Sequence, residues 1–218
     1  MLSNRPITSC ADCPLGAASA SRRCEFLCST RLAGALICAQ GEIPSTIYFV
    51  KTGLISLSAT DSDRTLAALA LRGPSSLLCT EAIQRRPSPH TLHVLSRARL
   101  CAIPGELLKR WIGPEHGPAR ALLDLLLDES HLQHLEQELH QGDCTRRVAR
   151  FALIFEHFLE EQPDAVPKQM LAQMLGMRPE TLSRCLTRLD RCGAIDASQG
   201  LRVRQPRLLS SMIGPAAG

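Results

Sequence analysis

Aromatic residues are scarce in this sequence. They make up 3% of the 218 residues, so aliphatic side chains must build most of the core. No apolar run reaches the roughly 18 residues that a membrane span needs. Residues 1–13 lack the basic start and apolar stretch of a signal peptide. These absences exclude a membrane-spanning chain and, with a hydrophobic fraction of 44%, predict a globular cytoplasmic protein.

Patterns that carry catalysis are also missing. The chain shows no paired carboxylates, no nucleophile beside a base and no Gly-rich phosphate loop. We therefore expect a protein that is not an enzyme.

Positive charge, by contrast, is concentrated near the C-terminus. Between residues 167 and 208, eight Lys and Arg residues stand against three acidic residues, whereas the net charge of the whole chain is only +4. The rest of the chain is therefore about neutral. A basic module on a neutral body predicts a phosphate-rich partner, which we take to be double-stranded DNA.

The chain divides into regions of different periodicity. Short apolar runs broken by turn residues between 35 and 104 predict the strands of a small barrel or sandwich. Residues 118–140 then show a helical period with leucines seven apart. This stripe is typical of a coiled-coil dimer seam, and packing against the barrel is the alternative. The seam residues are Leu122, Leu125, Leu132, Leu135 and Leu139.

Residues 170–189 fit a helix-turn-helix. Leu171 and Leu175 lie one turn apart, where they face inward. Gly176 follows the first helix, where a left-handed residue is favoured. Pro179 stands at the first position of the second helix, where its missing N–H does no harm. The pattern of residues 195–203, with a turn at 198–200, predicts a two-stranded wing beside this motif.

The order of barrel, long helix and winged helix-turn-helix resembles the Crp/Fnr family of transcription regulators, over about residues 35–206. The resemblance implies an α+β fold with a cyclic-nucleotide-binding-like β-barrel. It divides the chain into four parts: a cysteine-rich arm (1–33), a β-barrel sensor domain (34–117), a dimerisation helix (118–141) and a winged helix-turn-helix DNA-binding domain (142–218).

The segment ETLSR at 180–184 resembles the recognition helix of the Fnr branch. By that resemblance Glu180, Ser183 and Arg184 read base edges, and the target is a TTGAT-type inverted repeat. The chemistry agrees, since Arg pairs with guanine, Glu accepts from cytosine N4 and Ser bonds either base. The resemblance also implies a homodimer and RNA polymerase as a partner. The expected contacts to the DNA backbone are Arg178, Thr181, Arg188, Arg202 and Arg204.

The ten cysteines are unevenly placed, because Cys10, Cys13, Cys24 and Cys28 crowd the first 28 residues. The segment LCAIPGEL at 100–107 resembles the part of Fnr proteins that carries a cluster-ligating barrel cysteine, here Cys101. The resemblance implies a [4Fe–4S] cluster on Cys10, Cys13, Cys24 and Cys101, with Cys28 as the rival third ligand. The four cysteines of the arm are an alternative set.

Several alternatives remain at this point. The same regulator could use zinc or a thiol switch as its sensor. A less favoured alternative is an iron–sulfur enzyme or electron carrier whose C-terminal helices bind protein. Residues 87–91 read PSPHT where cyclic-nucleotide members carry an Arg-Ser phosphate contact, so we expect no cAMP binding.

Overall fold

The computed structural model describes residues 6–17, 26–60, 66–111 and 118–213. Contacts divide the chain into two compact units, Met1–Leu132 and Gln133–Gly218. The division falls inside a long helix, Pro118–Glu138, rather than near Gly142 where the sequence places the domain boundary. None of the helices in these ranges is long and apolar enough to cross a membrane.

The N-terminal unit is built on two four-stranded sheets. Its strands are β1 (Leu27–Arg31), β2 (Leu36–Cys38), β3 (Thr46–Thr52), β4 (Ile55–Thr60), β5 (Leu66–Arg72), β6 (Leu77–Leu78), β7 (Thr91–Val94) and β8 (Ala98–Pro104). One sheet has the order β1-β8-β3-β6 and the other β2-β7-β4-β5, with antiparallel pairing throughout. This confirms the prediction of a small β-domain in this part of the chain.

The apolar runs between residues 35 and 104 form six of these strands, as predicted, and β1 and β6 appear in addition. The sequence signal missed β1 because the segment LCSTR has no apolar run and its side chains are mostly exposed. It missed β6 because two residues are too few to show a period. The short helix expected near 76–84 is a 3₁₀ helix, Thr80–Ile83.

The described part of the cysteine-rich arm lies against the first sheet. It contains a single helical turn, α1 (Pro14–Ala17). Ile7, Cys13 and Leu15 are buried in one core cluster with Phe49 and other sheet residues. The Ile7 N–H donates to the Lys51 carbonyl at 2.8 Å. The arm is therefore held to β3 by its own apolar side chains and a backbone hydrogen bond.

Two helices follow β8 along the chain, α2 (Gly105–Trp111) and α3 (Pro118–Glu138). Leu122 and Leu125 are buried in the core cluster that also contains the sheet residue Ile103. Leu132 and Leu139 are buried as well, and Leu135 is half-buried. Four of the five predicted seam residues are thus buried within one chain, and the dimer seam stays a prediction.

The same helix leaves a second set of leucines in solvent. Leu123 is 52% exposed, Leu127 is 59% exposed, and Leu126 is exposed between them. Residues three and four apart share one face of a helix, so these three side chains form a short apolar stripe. These three leucines are a second candidate for an interface on α3, beside the predicted seam.

The C-terminal unit is mainly helical. Its elements are α4 (Cys144–Ile154), α5 (Glu156–Glu161), α6 (Lys168–Met174), α7 (Pro179–Arg191), β9 (Ile195–Asp196), β10 (Arg202–Val203) and α8 (Pro206–Ile213). Asp143 caps α4 as predicted, since its carboxylate accepts from the Arg146 N–H at 2.9 Å. The rings of Phe151 and Phe155 lie 4.9 Å apart in the core.

The turn between α6 and α7 has the predicted geometry. Gly176 has φ +58°, in the left-handed region that a side chain disfavours. The Met177 N–H donates to the Ala172 carbonyl at 3.0 Å and closes the end of α6. Pro179 occupies the first turn of α7. The strands β9 and β10 pair antiparallel and form the predicted wing.

Candidate nucleic-acid interface and thiol site

Helix α7 has one buried and one exposed face. Leu182, Cys185, Leu186 and Leu189 are buried. They follow the period of 3.6 and anchor the helix to its unit. Burial raises the pKa of the Cys185 thiol, so this cysteine behaves as a small core residue. The opposite face is thereby fixed toward solvent.

The predicted base-reading residues share that exposed face. Glu180, Ser183 and Arg184 are all exposed. Glu180 stands in the first turn of α7, where a carboxylate is favoured by the helix dipole. Arg188, a predicted backbone contact, is exposed one turn beyond Arg184. The helix thus presents an acid, a hydroxyl and two guanidinium groups along one side, which suits the edges of a major groove.

Two further residues belong to this surface and were missed in the sequence. Ser183, Arg184, Thr187, Arg188, Arg191 and Cys192 line one concavity. Thr187 and Arg191 lie one and two turns beyond Ser183, so the helical period could have found them. The Thr187 hydroxyl donates to the Ser183 carbonyl at 3.0 Å. Arg191 adds a third cation.

The two remaining predicted contacts to the DNA backbone, Arg202 and Arg204, lie in the wing and differ in their partners. Arg202 is exposed on β10. Arg204 is exposed too, but its Nη2 lies 2.6 Å from Asp196 Oδ2. Hydrogen bonds from Ser198 and from Arg204 hold the pKa of Asp196 well below its usual range. Arg204 is therefore partly neutralised within the wing.

The predicted backbone contacts on the turn are also in place. Arg178 is exposed and is the N-cap residue of α7, with no side-chain cap of its own. Thr181 is half-buried in the first turn of the helix. Both stand at a helix N-terminus, which is where phosphates are commonly held.

A second candidate site lies in the N-terminal unit, on the first sheet. Cys101 is 1% exposed on β8 and faces two neighbours in the register, Cys28 on β1 and Phe49 on β3. Directly opposed residues of an antiparallel pair share one face of the sheet. Cys28 and Cys101 therefore lie on the same face, although they are 73 positions apart in sequence.

The arm brings two more thiols to this place through Lys51. The Lys51 ammonium donates to Cys10 Sγ at 3.1 Å, and the thiols of Cys101 and Cys13 also interact with it electrostatically. Burial lowers the pKa of Lys51, but the hydrogen bond to Cys10 and the neighbouring sulfurs outweigh it. The pKa of Lys51 is therefore raised.

Arg99 also contacts the arm. Its guanidinium donates to the Thr8 carbonyl at 3.3 Å and lies 3.9 Å from Cys28 Sγ. Two cations, Lys51 and Arg99, therefore accompany these sulfurs. We call Cys10, Cys13, Cys28, Cys101 and Lys51 the thiol site.

The structure gives the positions of four of the five predicted ligand residues. It brings Cys10, Cys13 and Cys101 toward one lysine and puts the rival Cys28 opposite Cys101. Cys24 lies outside the described residues. Within the described ranges, no three His, Cys, Asp or Glu side chains stand close enough to hold a single metal ion. The choice of four ligands stays a prediction.

Two other cysteines of the N-terminal unit have a different character. Cys38 and Cys79 are buried and interact with each other, and burial raises the pKa of both thiols. A neutral thiol is a poor metal ligand and a poor nucleophile. They are core residues, as the sequence indicated.

The turn at residues 87–91 contains a buried serine. Ser88 is buried, and its hydroxyl donates to the His90 carbonyl at 2.8 Å. The absence of cAMP binding stays a prediction.

Comparisons with known proteins agree with both units. The family model of the cyclic nucleotide-binding domain matches residues 31–113, and that of the Crp-like helix-turn-helix domain matches residues 146–212. No curated protein matches the chain.

Solved structures show the same fold. FixK2 from Bradyrhizobium japonicum is 18% identical with a TM-score of 0.76, covering 89% of this chain and 100% of that one. TTHB099, a CRP-family transcriptional regulator from Thermus thermophilus, is 22% identical with a TM-score of 0.67, covering 87% and 98%. The c-di-GMP responsive regulator CLP of Xanthomonas campestris is 20% identical with a TM-score of 0.56, covering 88% and 96%.

A β-domain followed by a basic winged helix-turn-helix defines a DNA-binding transcription regulator rather than an enzyme. With a cyclic nucleotide-binding domain and a Crp-like helix-turn-helix in that order, the chain belongs to the Crp/Fnr family. Members of this family are dimeric regulators.

Proposed function

We propose that this regulator senses oxygen, nitric oxide or redox state through a [4Fe–4S] cluster at the thiol site. The observation that carries the proposal is the convergence of Cys10, Cys13 and Cys101 on the buried Lys51. The residue types suit the group, because soft thiolates are the ligands of iron–sulfur clusters and a cation offsets their negative charge. Cys24, or its rival Cys28, would be the fourth ligand.

When bound, such a cluster would supply reactivity toward oxygen and nitric oxide. The chain's own residues do the rest. Ile7 and Leu15 hold the arm in the core, and Arg99 binds its backbone at Thr8. A change at the sulfurs of Cys10 and Cys13 therefore acts on a segment that is packed against β3. That packing gives the site a way to alter the N-terminal unit.

On the output side, α7 enters the major groove of a TTGAT-type inverted repeat. Arg184 contacts guanine, Glu180 accepts from cytosine N4 and Ser183 bonds either base. The concavity of Ser183, Thr187 and Arg191 extends this surface toward the DNA backbone. Because Arg204 is paired with Asp196, Arg202 is the stronger phosphate contact of the wing.

The regulator acts as a homodimer through the exposed stripe of α3. Leu123, Leu126 and Leu127 are the apolar residues that this helix leaves in solvent, and a second copy would bury them. An inverted repeat needs two copies of α7 related by a two-fold axis. As in the resemblance, RNA polymerase is the expected partner of the DNA-bound dimer.

Anaerobic purification with iron, sulfide and zinc analysis tests the sensor. We expect brown protein with equal amounts of iron and sulfide and about four of each per chain, as that cluster type requires. Colourless protein without iron would rule out the cluster. Zinc without iron or sulfide would instead support the zinc or thiol-switch version, which the Lys51–Cys10 contact also suits.

The fourth ligand is decided by paired variants. Cys28→Ser and Cys24→Ser are purified under the same conditions, with Cys192→Ser in the C-terminal unit as the control. The ligand's variant should lose most of its iron, and the control should keep all of it. Retention of full iron by both single variants would assign the fourth position to another group.

A further inference from the structure

Helices α4 and α7 pack against each other in the C-terminal unit, and each carries one cysteine at the contact. On α7, Cys185 belongs to the buried stripe that anchors the helix. On α4, Val148 and Ala152 are buried, and Cys144 lies one turn before Val148. Residues four apart share one face of a helix, so the period of α4 places Cys144 on its core-facing side.

The two thiols meet at the start of α4. The Cys185 thiol lies within hydrogen-bonding reach of the side chains of Cys144 and Thr145, and the Asp143 carboxylate is close enough to interact with it. Both cysteines are free thiols. They stand 41 positions apart in the sequence, so the packing of α4 on α7 brings them together. The C-terminal unit therefore contains a pair of neighbouring thiols.

The pair has one accessible and one protected sulfur. Cys144 is half-buried, whereas Cys185 is 8% exposed. Cys38 and Cys79 of the N-terminal unit also interact with each other, but both are buried, so an oxidant cannot reach that pair directly. Oxidation follows exposure, and an accessible thiol beside a second thiol that resolves its oxidised form is typical of a redox-active pair.

Cys185 lies directly behind the DNA-reading face of α7. It follows Arg184 in the sequence, and Arg188 stands one turn further on. A disulfide holds its two sulfurs about 2.05 Å apart, which is much closer than any non-bonded contact. Because protein cores are close-packed, the bond can form only if α7 shifts against α4. Base reading depends on where the side chains of α7 stand in the groove, so this shift should weaken specific binding.

We propose that Cys144 and Cys185 form a reversible disulfide when hydrogen peroxide oxidises the protein, and that this bond weakens specific DNA binding. The Cys144 sulfur attacks the peroxide: an S–O bond forms, the O–O bond breaks, and hydroxide leaves and takes the thiol proton as water. The Cys185 sulfur then attacks the Cys144 sulfur: the S–S bond forms, the S–O bond breaks, and a second water leaves with the Cys185 proton. Two thiols thus lose two electrons to one peroxide. This site is separate from the thiol site and does not depend on a cluster.

The first measurement locates the bond. The reduced full chain is treated with hydrogen peroxide, its remaining thiols are blocked with iodoacetamide, and a digest without reductant is analysed by mass spectrometry. We expect linked peptides that join Cys144 to Cys185 and that separate on addition of dithiothreitol. Oxidation of Cys144 to a sulfinic acid with Cys185 still free would overturn the proposal, and so would two unmodified thiols.

The second measurement is the ratio of specific to non-specific DNA affinity, at fixed salt. Wild type is compared with Cys144→Ser and with Cys38→Ala, which removes a buried thiol from the N-terminal unit. Peroxide should lower the ratio about tenfold in wild type and in Cys38→Ala, the size of one lost base contact, and dithiothreitol should restore it. Cys144→Ser should lack this reversible part. An equal and reversible loss in Cys144→Ser would overturn the proposal.

The two measurements also separate this proposal from the cluster. Dithiothreitol supplies neither iron nor sulfide, so it reduces a disulfide but does not rebuild a lost cluster. The DNA measurement uses the proposed TTGAT palindrome, whereas the linked peptides do not depend on it. Protein without iron that still forms the Cys144–Cys185 bond would remove the cluster and keep the disulfide. Iron-loaded protein that never forms the bond would do the reverse.

Discussion

The two units carry their chemistry in opposite ways. In the C-terminal unit the candidate DNA-reading residues lie within thirteen positions of one another, exposed along α7. In the N-terminal unit the thiol site joins residues from the arm and three strands, and three of its five members, Cys13, Lys51 and Cys101, are buried. A DNA-binding surface must be accessible to the groove of DNA. A sensor site, by contrast, benefits when several elements of its unit contribute residues to it.

The largest expected effect comes from a variant that removes the thiol site and leaves the C-terminal unit unchanged. Cys101→Ser should abolish iron binding, because a hydroxyl is a poor replacement for a soft thiolate. The C-terminal unit has its own core, so the variant should still bind DNA in a salt-dependent way. Metal analysis and a DNA titration on one preparation check both statements. An iron-loaded Cys101→Ser protein would remove Cys101 from the ligand set.

The next effect concerns the two faces of α3. Leu123→Glu with Leu127→Glu should convert dimers to monomers, since charges would replace the exposed apolar stripe. Leu125→Ala, on the buried face, should instead lower the free energy of unfolding by about 2–5 kcal/mol. Light scattering and denaturant unfolding distinguish the two outcomes. A double variant that stays dimeric would place the interface elsewhere.

Base reading gives an effect of intermediate size. Arg184→Ala should cost about 1–3 kcal/mol on a TTGAT repeat and relax the preference at one position. Arg202→Ala is the matched comparison, since a lost phosphate contact should weaken binding to every sequence alike. Competition with single-base variants of the repeat measures both. An equal loss of affinity for every sequence in Arg184→Ala would show that Arg184 contacts the DNA backbone and does not read a base.

The smallest effect comes from the wing. Asp196→Asn should release Arg204 and remove a negative charge, so non-specific binding tightens a few-fold and the salt slope steepens by about 1. Ser198→Ala removes a different partner of Asp196 and leaves the charges unchanged, so its slope should match wild type. An Asp196→Asn slope equal to wild type would show that Arg204 does not reach phosphate.

These differences explain what could be predicted from the sequence. The DNA-binding face follows from local rules: Gly176 and Pro179 set the turn, and one helical period sorts buried from exposed residues. The same period could not assign the leucines of α3. A stripe that repeats every seven residues is satisfied equally by a partner helix or by the chain's own sheet, and only the fold decides between them.

The sequence indicated that cysteines form the thiol site, but it did not indicate all the residues that belong to it. Cys10, Cys13 and Cys101 were found because spacing and resemblance mark them. Lys51 has no local signal, because one lysine in a strand reads as a solvent-facing residue until the register shift turns it inward. The case for Cys28 as a ligand became stronger only with its pairing to Cys101, which depends on contacts between residues distant in sequence.

Control of DNA binding by the thiol site is the central claim. The direct measurement is the affinity of one anaerobic preparation for a TTGAT palindrome, before and after exposure to oxygen, with a scrambled duplex as the reference at fixed salt. We predict that the ratio of specific to non-specific affinity changes at least tenfold, about 1.4 kcal/mol, as expected for two linked sites. The same ratio before and after oxygen would contradict the claim.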